Sequence, residues 1–225
     1  MELTIIIFLL GGLFLGWSLG ANDAANVFGT AVGTRMVSFK TAAITCSLFV
    51  ILGAIISGAG TTETLGKLGS INALAGAFAA CVAAGISVYL MTKVGLPVST
   101  TQAIVGAIVG WNIYTGSSTN VQVLFTIVGT WILCPIIAGI IAMGLFTLTK
   151  NFIFRRKLHI LRLDAYTRTA LLFAGAFGAY SLGANNIANV MGVFVPISPF
   201  TDITFSNFFT FSSEEQLFLL GGLAI

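Results

Sequence analysis

Charge is what this sequence has least of. Asp, Glu, Lys and Arg make up 8% of its 225 residues, against about 25% in ordinary soluble domains. It has one histidine, and its three cysteines, Cys46, Cys81 and Cys134, stand singly in apolar runs. No CxxC or metal-ligand spacing links them, so neither a disulfide framework nor a zinc site is expected. The cysteines read as small buried residues, and His159, in a basic loop, as a solvated or headgroup-facing side chain. Within the apolar runs there is no paired carboxylate and no Ser/His/Asp set, which argues against an enzyme. Organic cofactors have no motif here. The one basic cluster adjoins a long apolar segment, which favours a membrane-surface loop over nucleic-acid binding.

What is present is apolar. Hydrophobic residues form 57% of the chain, and the mean hydropathy is +1.02. Uncharged runs of 18 or more residues read as membrane spans, so the chain is expected to be an all-α polytopic membrane protein with the lipid bilayer as its first partner. A cleaved signal peptide is not expected: Glu2 precedes the first run, which is longer than an h-region. Spans are expected at about 3–33, 41–60, 71–92, 97–113 and 121–148. The first would be about 46 Å long as a straight helix, so it tilts or breaks near Gly20–Asp23. The stretch 97–113 is either a full crossing or a re-entrant hairpin; the crossing is preferred, since a deep tip would draw Lys93 inward at about 2.5–3.5 kcal/mol. With the N-terminus outside and five crossings before residue 150, nine of the ten basic residues lie inside, leaving only Lys67 outside. That agrees with the positive-inside rule for a multi-pass protein of the plasma or inner membrane.

One polar stretch occurs twice. Gly12–Gly29 and Gly175–Gly192 are identical at eleven of eighteen positions, 163 residues apart. The matches include Ser18/Ser181, Asn22/Asn185 and Asn26/Asn189, which shared hydrophobicity cannot explain. Five crossings between the copies would make them an inverted repeat, as in secondary transporters whose interrupted helices build a site near the midplane. The expected units are therefore a first repeat at 1–149, a cytoplasmic basic loop at 150–168, and the start of a second repeat at 169–225. The last apolar run, Gln216–Ile225, is too short to span, so the missing C-terminal half of the same protein is expected to be a partner. A homo-oligomer is compatible with the sequence.

Asp23 is the one charged residue between Leu3 and Thr34. An acid there must pair, bind a cation or be protonated, and no base lies in a span core under the five-crossing reading. Asn22 and Asn26 add amide carbonyls on one helix face. Oxygen ligands of this kind suit a hard alkali ion such as sodium. The alternative is that these residues only hydrogen-bond packed helices together. Pro97 starts a further helix, and Ser99, Thr100, Thr101 and Gln102 bring hydroxyls and free backbone N–H groups suited to an anion. A co-bound cation would neutralise that anion. A passive channel would not need the duplicated cluster.

Gly20-Ala21-Asn22-Asp23-Ala24-Ala25-Asn26 resembles the duplicated GANDxxN signature of the inorganic phosphate transporter (PiT) family. Pro97-Val98-Ser99-Thr100-Thr101-Gln102 resembles that family's second recurring motif. The resemblance covers the first half of such a protein and the opening of the second. It implies a sodium- or proton-coupled phosphate symporter made of two inverted halves. Phosphate would be bound by Ser99, Thr100, Thr101, Gln102, Asn22, Asn26, Asn185 and Asn189. Sodium, co-transported, would be bound by Asp23, Asn22, Asn26 and Asn186. Asn186 stands where the family's second copy has Asp, which removes one charge. Proton coupling, or another oxyanion such as sulfate, is the alternative.

Overall fold

The structure, a computed structural model, describes residues 2–60, 62, 74–155, 159–206 and 209–225. Lys67, Arg156 and Lys157, which enter the charge argument, lie outside the described residues, as do the side chains of Glu2 and Arg155.

Helices dominate, because in an apolar chain each backbone N–H and C=O must find its partner within the same segment. Helix α1 (Glu2–Leu19) runs through a π-helical turn (Gly20–Ala24) into α2 (Ala25–Gly33). The three form one rod, and the expected break is a single wide turn. After a short connection come α3 (Phe39–Ser57), α4 (Leu74–Lys93), α5 (Thr100–Thr115), α6 (Val121–Arg155) and α7 (Ile160–Met191). A 3₁₀ segment (Gly192–Ile197), a two-stranded hairpin of β1 (Ile203–Ser206) and β2 (Phe209–Phe211), and α8 (Ser213–Ala224) complete the chain. Serine hydroxyls start three of the helices. Ser38 caps α3, Ser99 caps α5, and Ser212 caps α8 in a capping box with Glu215. Among the described residues, four helical stretches are long and apolar enough to cross a membrane: Ile5–Gly33, Phe39–Ser57, Leu74–Lys93 and Val121–Ile153.

Neighbouring contacts give the directions. Gly12 lies against Val190 and Met191, Val27 against Gly178, and Phe28 against Gly175, so the α1–α2 rod and α7 run antiparallel. With the repeat offset applied, the Phe28–Gly175 contact maps onto the Gly12–Met191 contact, so the copies meet through matched contacts. Helix α3 runs parallel to α7: Met36 meets Arg168, Gly53 meets Tyr180 and Gly58 meets Ile187. Helix α4 runs parallel to α1, from the Phe8–Phe78 ring pair through Leu15 and Gly85 to Trp17–Tyr89. Helix α5 returns along α4, bringing Trp111 onto Gly76. The main core joins α1, α4, α5, α7 and α8 around Leu15, Leu19, Ile104, Ile187, Met191 and Phe194.

The α4–α5 pair corrects the expected crossing. Its tip meets Asn22, eleven residues before the rod ends at Gly33, and the chain then turns back. At 1.5 Å per residue that is about 16 Å short of the rod's end. The pair is a re-entrant hairpin relative to α1–α2, and α5, at 16 residues, is about 24 Å long and too short to cross alone. Among the described residues α4 and α5 are thus the two arms of one hairpin, of which α4 alone is long and apolar enough to span. The basic stretch expected as a loop at 150–168 is instead, in its described residues, the end of α6, to Arg155, and the start of α7, from Ile160. Lys93 lies level with Asn22 along the rod, next to Thr92, and is exposed, with its Nζ 5.4 Å from the centre of the Tyr89 ring. Cation–π attraction offsets part of its cost. Cys134 is also corrected: Cys46 and Cys81 are buried, but Cys134, on α6, is exposed. His159 caps α7, its Nδ1 accepting from the Leu161 N–H at 3.3 Å.

Candidate substrate and ion site

The site forms where the N-terminus of α5 is wedged between the two copies. Ser99 acts as the cap, its hydroxyl accepting from the Gln102 N–H at 3.3 Å. The N–H groups of Thr100 and Thr101 lie in the first turn, outside the helical ladder. Thr101 turns to the second copy, where its hydroxyl accepts from Asn189 Nδ2 at 2.9 Å. Asn189 is 1% exposed and donates its other amide proton to Asn186 Oδ1 at 2.9 Å. Asn186 donates back to the Leu182 carbonyl at 3.1 Å, so these two amides form a closed chain pinned to α7.

Thr100 turns to the first copy. The Asp23 carboxylate faces its hydroxyl, and Thr100 Oγ1, in a residue only 2% exposed, has no other partner. Each group thus keeps bonding capacity for an ion or water at this pair. Ser18, four residues before Asn22, is 1% exposed and unpartnered.

Asn22 is differently engaged. Its Nδ2 donates to Thr92 Oγ1 at 2.8 Å and to the Leu96 carbonyl at 3.3 Å, while its Oδ1 accepts from the Val98 N–H at 3.3 Å. Both amide protons and one lone pair go to the tip of the hairpin. The π turn lets adjacent residues serve one hairpin, Asn22 reaching its loop and Asp23 its helix start. Such turns recur at functional sites. The second copy has none: α7 continues as α-helix through Asn186 and Asn189 and tightens to 3₁₀ only at Gly192.

The structure therefore gathers Asp23, Ser99, Thr100, Thr101, Asn186 and Asn189, with Asn22 at the hairpin loop. Asn26, Asn185 and Gln102 are exposed, and their side chains stand apart from these bonds, Gln102 entering only through its backbone N–H. Sequence reasoning missed Thr92 and Ser18. Ser18 could have been found as one of the polar identities shared by the copies. Thr92 carries no such signal.

A bundle of long apolar helices gripping a short polar helix start between two antiparallel polar segments has the architecture of an all-α membrane transporter. Residues 19–225 match the phosphate transporter family, and the chain belongs to that family. A Thermococcus kodakarensis protein, provisionally named a phosphate permease, is 38% identical over 70% of this chain and 41% of its own length. A Plasmodium falciparum protein named a sodium-dependent phosphate transporter is 32% identical over 64% of this chain and 23% of its own. The chain thus spans about two fifths of the first relative's length. A solved structure named the sodium-dependent phosphate transporter shares the fold, with a TM-score of 0.75 at 21% identity, covering 98% of this chain and 73% of that one. Family and fold are those of a transporter and not of an enzyme.

Proposed function

We propose that this chain provides a sodium-coupled phosphate site, in which the α5 helix start binds the anion and Asp23 the cation. The observation that carries the reading is the Asp23–Thr100 pair: a carboxylate facing a buried hydroxyl that has no other partner. Sodium would be held by the Asp23 carboxylate and Thr100 Oγ1, leaving the Thr100 and Thr101 N–H groups and the helix dipole for phosphate. Bound side by side, each ion reduces the cost of the other in a low-dielectric site. The closed Asn186–Asn189 bonds favour a supporting role for those amides over ligation of sodium. The sodium-dependent name of the Plasmodium relative agrees with the choice of ion.

The antiparallel, matched contacts of the two copies support an inverted-topology repeat. Under that two-fold relation, Asn185 corresponds to Asn22 and Asn26 to Asn189, and both are exposed. We propose that they complete the site with a second hairpin from the other half of the protein. We propose the units 1–149, 150–168 and 169–225 on the same relation, with both boundaries falling inside helices, α6 and α7. The N-terminus would then be outside and the basic loop cytoplasmic, in a plasma or inner membrane.

The test is uptake into vesicles reconstituted with the full-length protein. Labelled phosphate should enter with an inward sodium gradient, fail with choline, and fail in Asp23→Asn. Uptake that ignores sodium and follows a proton gradient would replace sodium by protons, and full inhibition by equimolar sulfate would broaden the anion.

A further inference from the structure

Asn22 lies beside Asp23 in the duplicated motif, yet its amide is spent on protein. It reaches the side chain of Thr92 at the end of α4, the carbonyl of Leu96 in the loop and the N–H of Val98 just before the α5 cap. Those three groups lie on both sides of the hairpin turn, whose Gly95 has a φ of 77°. One side chain on the π turn thus fixes both arms of the tip. Asn22 is 8% exposed, so water does not compete readily for these bonds. Thr92 is itself anchored, its hydroxyl donating to the Val88 carbonyl at 2.8 Å.

We propose that Asn22 is a positioning residue which couples the cation-binding turn to the anion-binding helix start. This rests on the reading of Asp23 and Thr100 given above. A cation drawn to Asp23 resets the wide turn 20–24, and Asn22, rigidly part of that turn, carries the movement to Val98 and hence to the cap at Ser99. Neither ion needs to touch Asn22. A direct ligand would need its carbonyl free, whereas here one lone pair is occupied and both amide protons are donated.

Two substitutions separate coupling from ligation. Asn22→Ala removes the clasp, while Thr92→Val removes one of its partners without touching a proposed ligand. Thr92→Ser keeps the hydroxyl and serves as rescue. The first readout is amide hydrogen exchange over residues 94–101 in the full-length protein without phosphate. Exchange at Val98 should accelerate about tenfold in Asn22→Ala and several-fold in Thr92→Val, and stay at wild type in Thr92→Ser. Unchanged exchange in Asn22→Ala would remove the clasp whatever the protein transports. The second readout is the ratio of phosphate dissociation constants in choline and in sodium. Coupling requires this ratio to fall toward one in both Asn22→Ala and Thr92→Val and to be preserved in Thr92→Ser. If Thr92→Val keeps the ratio while Asn22→Ala abolishes binding, Asn22 is a ligand and the proposal is wrong. If both variants weaken binding equally with and without sodium, the contact is structural only and coupling is refuted. A wild-type ratio of one with normal phosphate binding would instead overturn sodium coupling itself, leaving the exchange result to decide the clasp.

Discussion

The glycine that opens each copy of the repeated motif can be tested most directly. Gly183 stands at the crossing of α7 with α3. A Cβ added there would overlap the Val50 carbonyl oxygen and lie 2.8 Å from its carbonyl carbon and 2.9 Å from its Cα. All three atoms are backbone, so no rotamer can yield, and α3 must retreat by about 1 Å to restore ordinary contact. Gly53 makes the reciprocal approach to Tyr180, with a Cβ there 3.1 Å from the Ala184 nitrogen. Overpacking of this kind costs about 1–3 kcal/mol. Replacing Gly by Ala in a helix returns up to about 1 kcal/mol. Overlap with backbone atoms puts the overpacking at the upper end, so Gly183→Ala should lose about 2 kcal/mol net, which at about 2–4 °C per kcal/mol lowers Tm by about 4–8 °C. Gly29→Ala is the control, since no atom lies within 4 Å of a Cβ there, and it should melt at or above wild type. The assay is thermal unfolding of the lipid-reconstituted protein followed by tryptophan fluorescence. If Gly183→Ala melts with Gly29→Ala, the backbone crossing does not exist and the packing of α3 on α7 is wrong. The motif glycine of the second copy is thus explained by helix contact rather than by ligand binding.

Three other substitutions probe separate features. Thr100→Val, which removes a buried hydroxyl with no partner besides Asp23, should leave the unliganded protein as stable or up to about 1 kcal/mol more stable, yet abolish the thermal shift given by sodium plus phosphate. Asn189→Leu breaks the bonds to Thr101 and Asn186 and should cost about 1–3 kcal/mol in thermal unfolding; faster amide exchange at the α5 start would be the local mark. Arg35 has a φ of 60°, where a side chain costs about 1–2 kcal/mol, so Arg35→Gly should raise Tm by a few degrees.

Composition alone revealed the membrane class, because lipid leaves the backbone almost no alternative to helices. The repeat was legible because its identities are polar. Depth was not legible. Hydropathy reports that a segment is apolar and says little about how far it penetrates, so 97–113 and a crossing helix looked alike. The cost assigned to Lys93 pointed away from the hairpin because it took no account of a partner, whereas Tyr89, one turn earlier on α4, lies under the ammonium. The role of Asn22 was hidden for a related reason. An amide that holds a helix tip and one that holds an ion have the same chemistry, and the choice depends on Thr92, Leu96 and Val98, some 70 or more residues away. The two-fold relation then sharpens what the copies have in common. Asn22 and Asn189 face the hairpin, while their mates Asn185 and Asn26 are exposed, although each pair comes from identical positions of the motif. Equal sequence in unequal surroundings means that the neighbour, not the motif, sets the role of each asparagine. A second hairpin seated by Asn185 would make the two copies equivalent again, apart from Asp23 and Asn186, and that one difference would confine the negative charge of the paired motif to a single side.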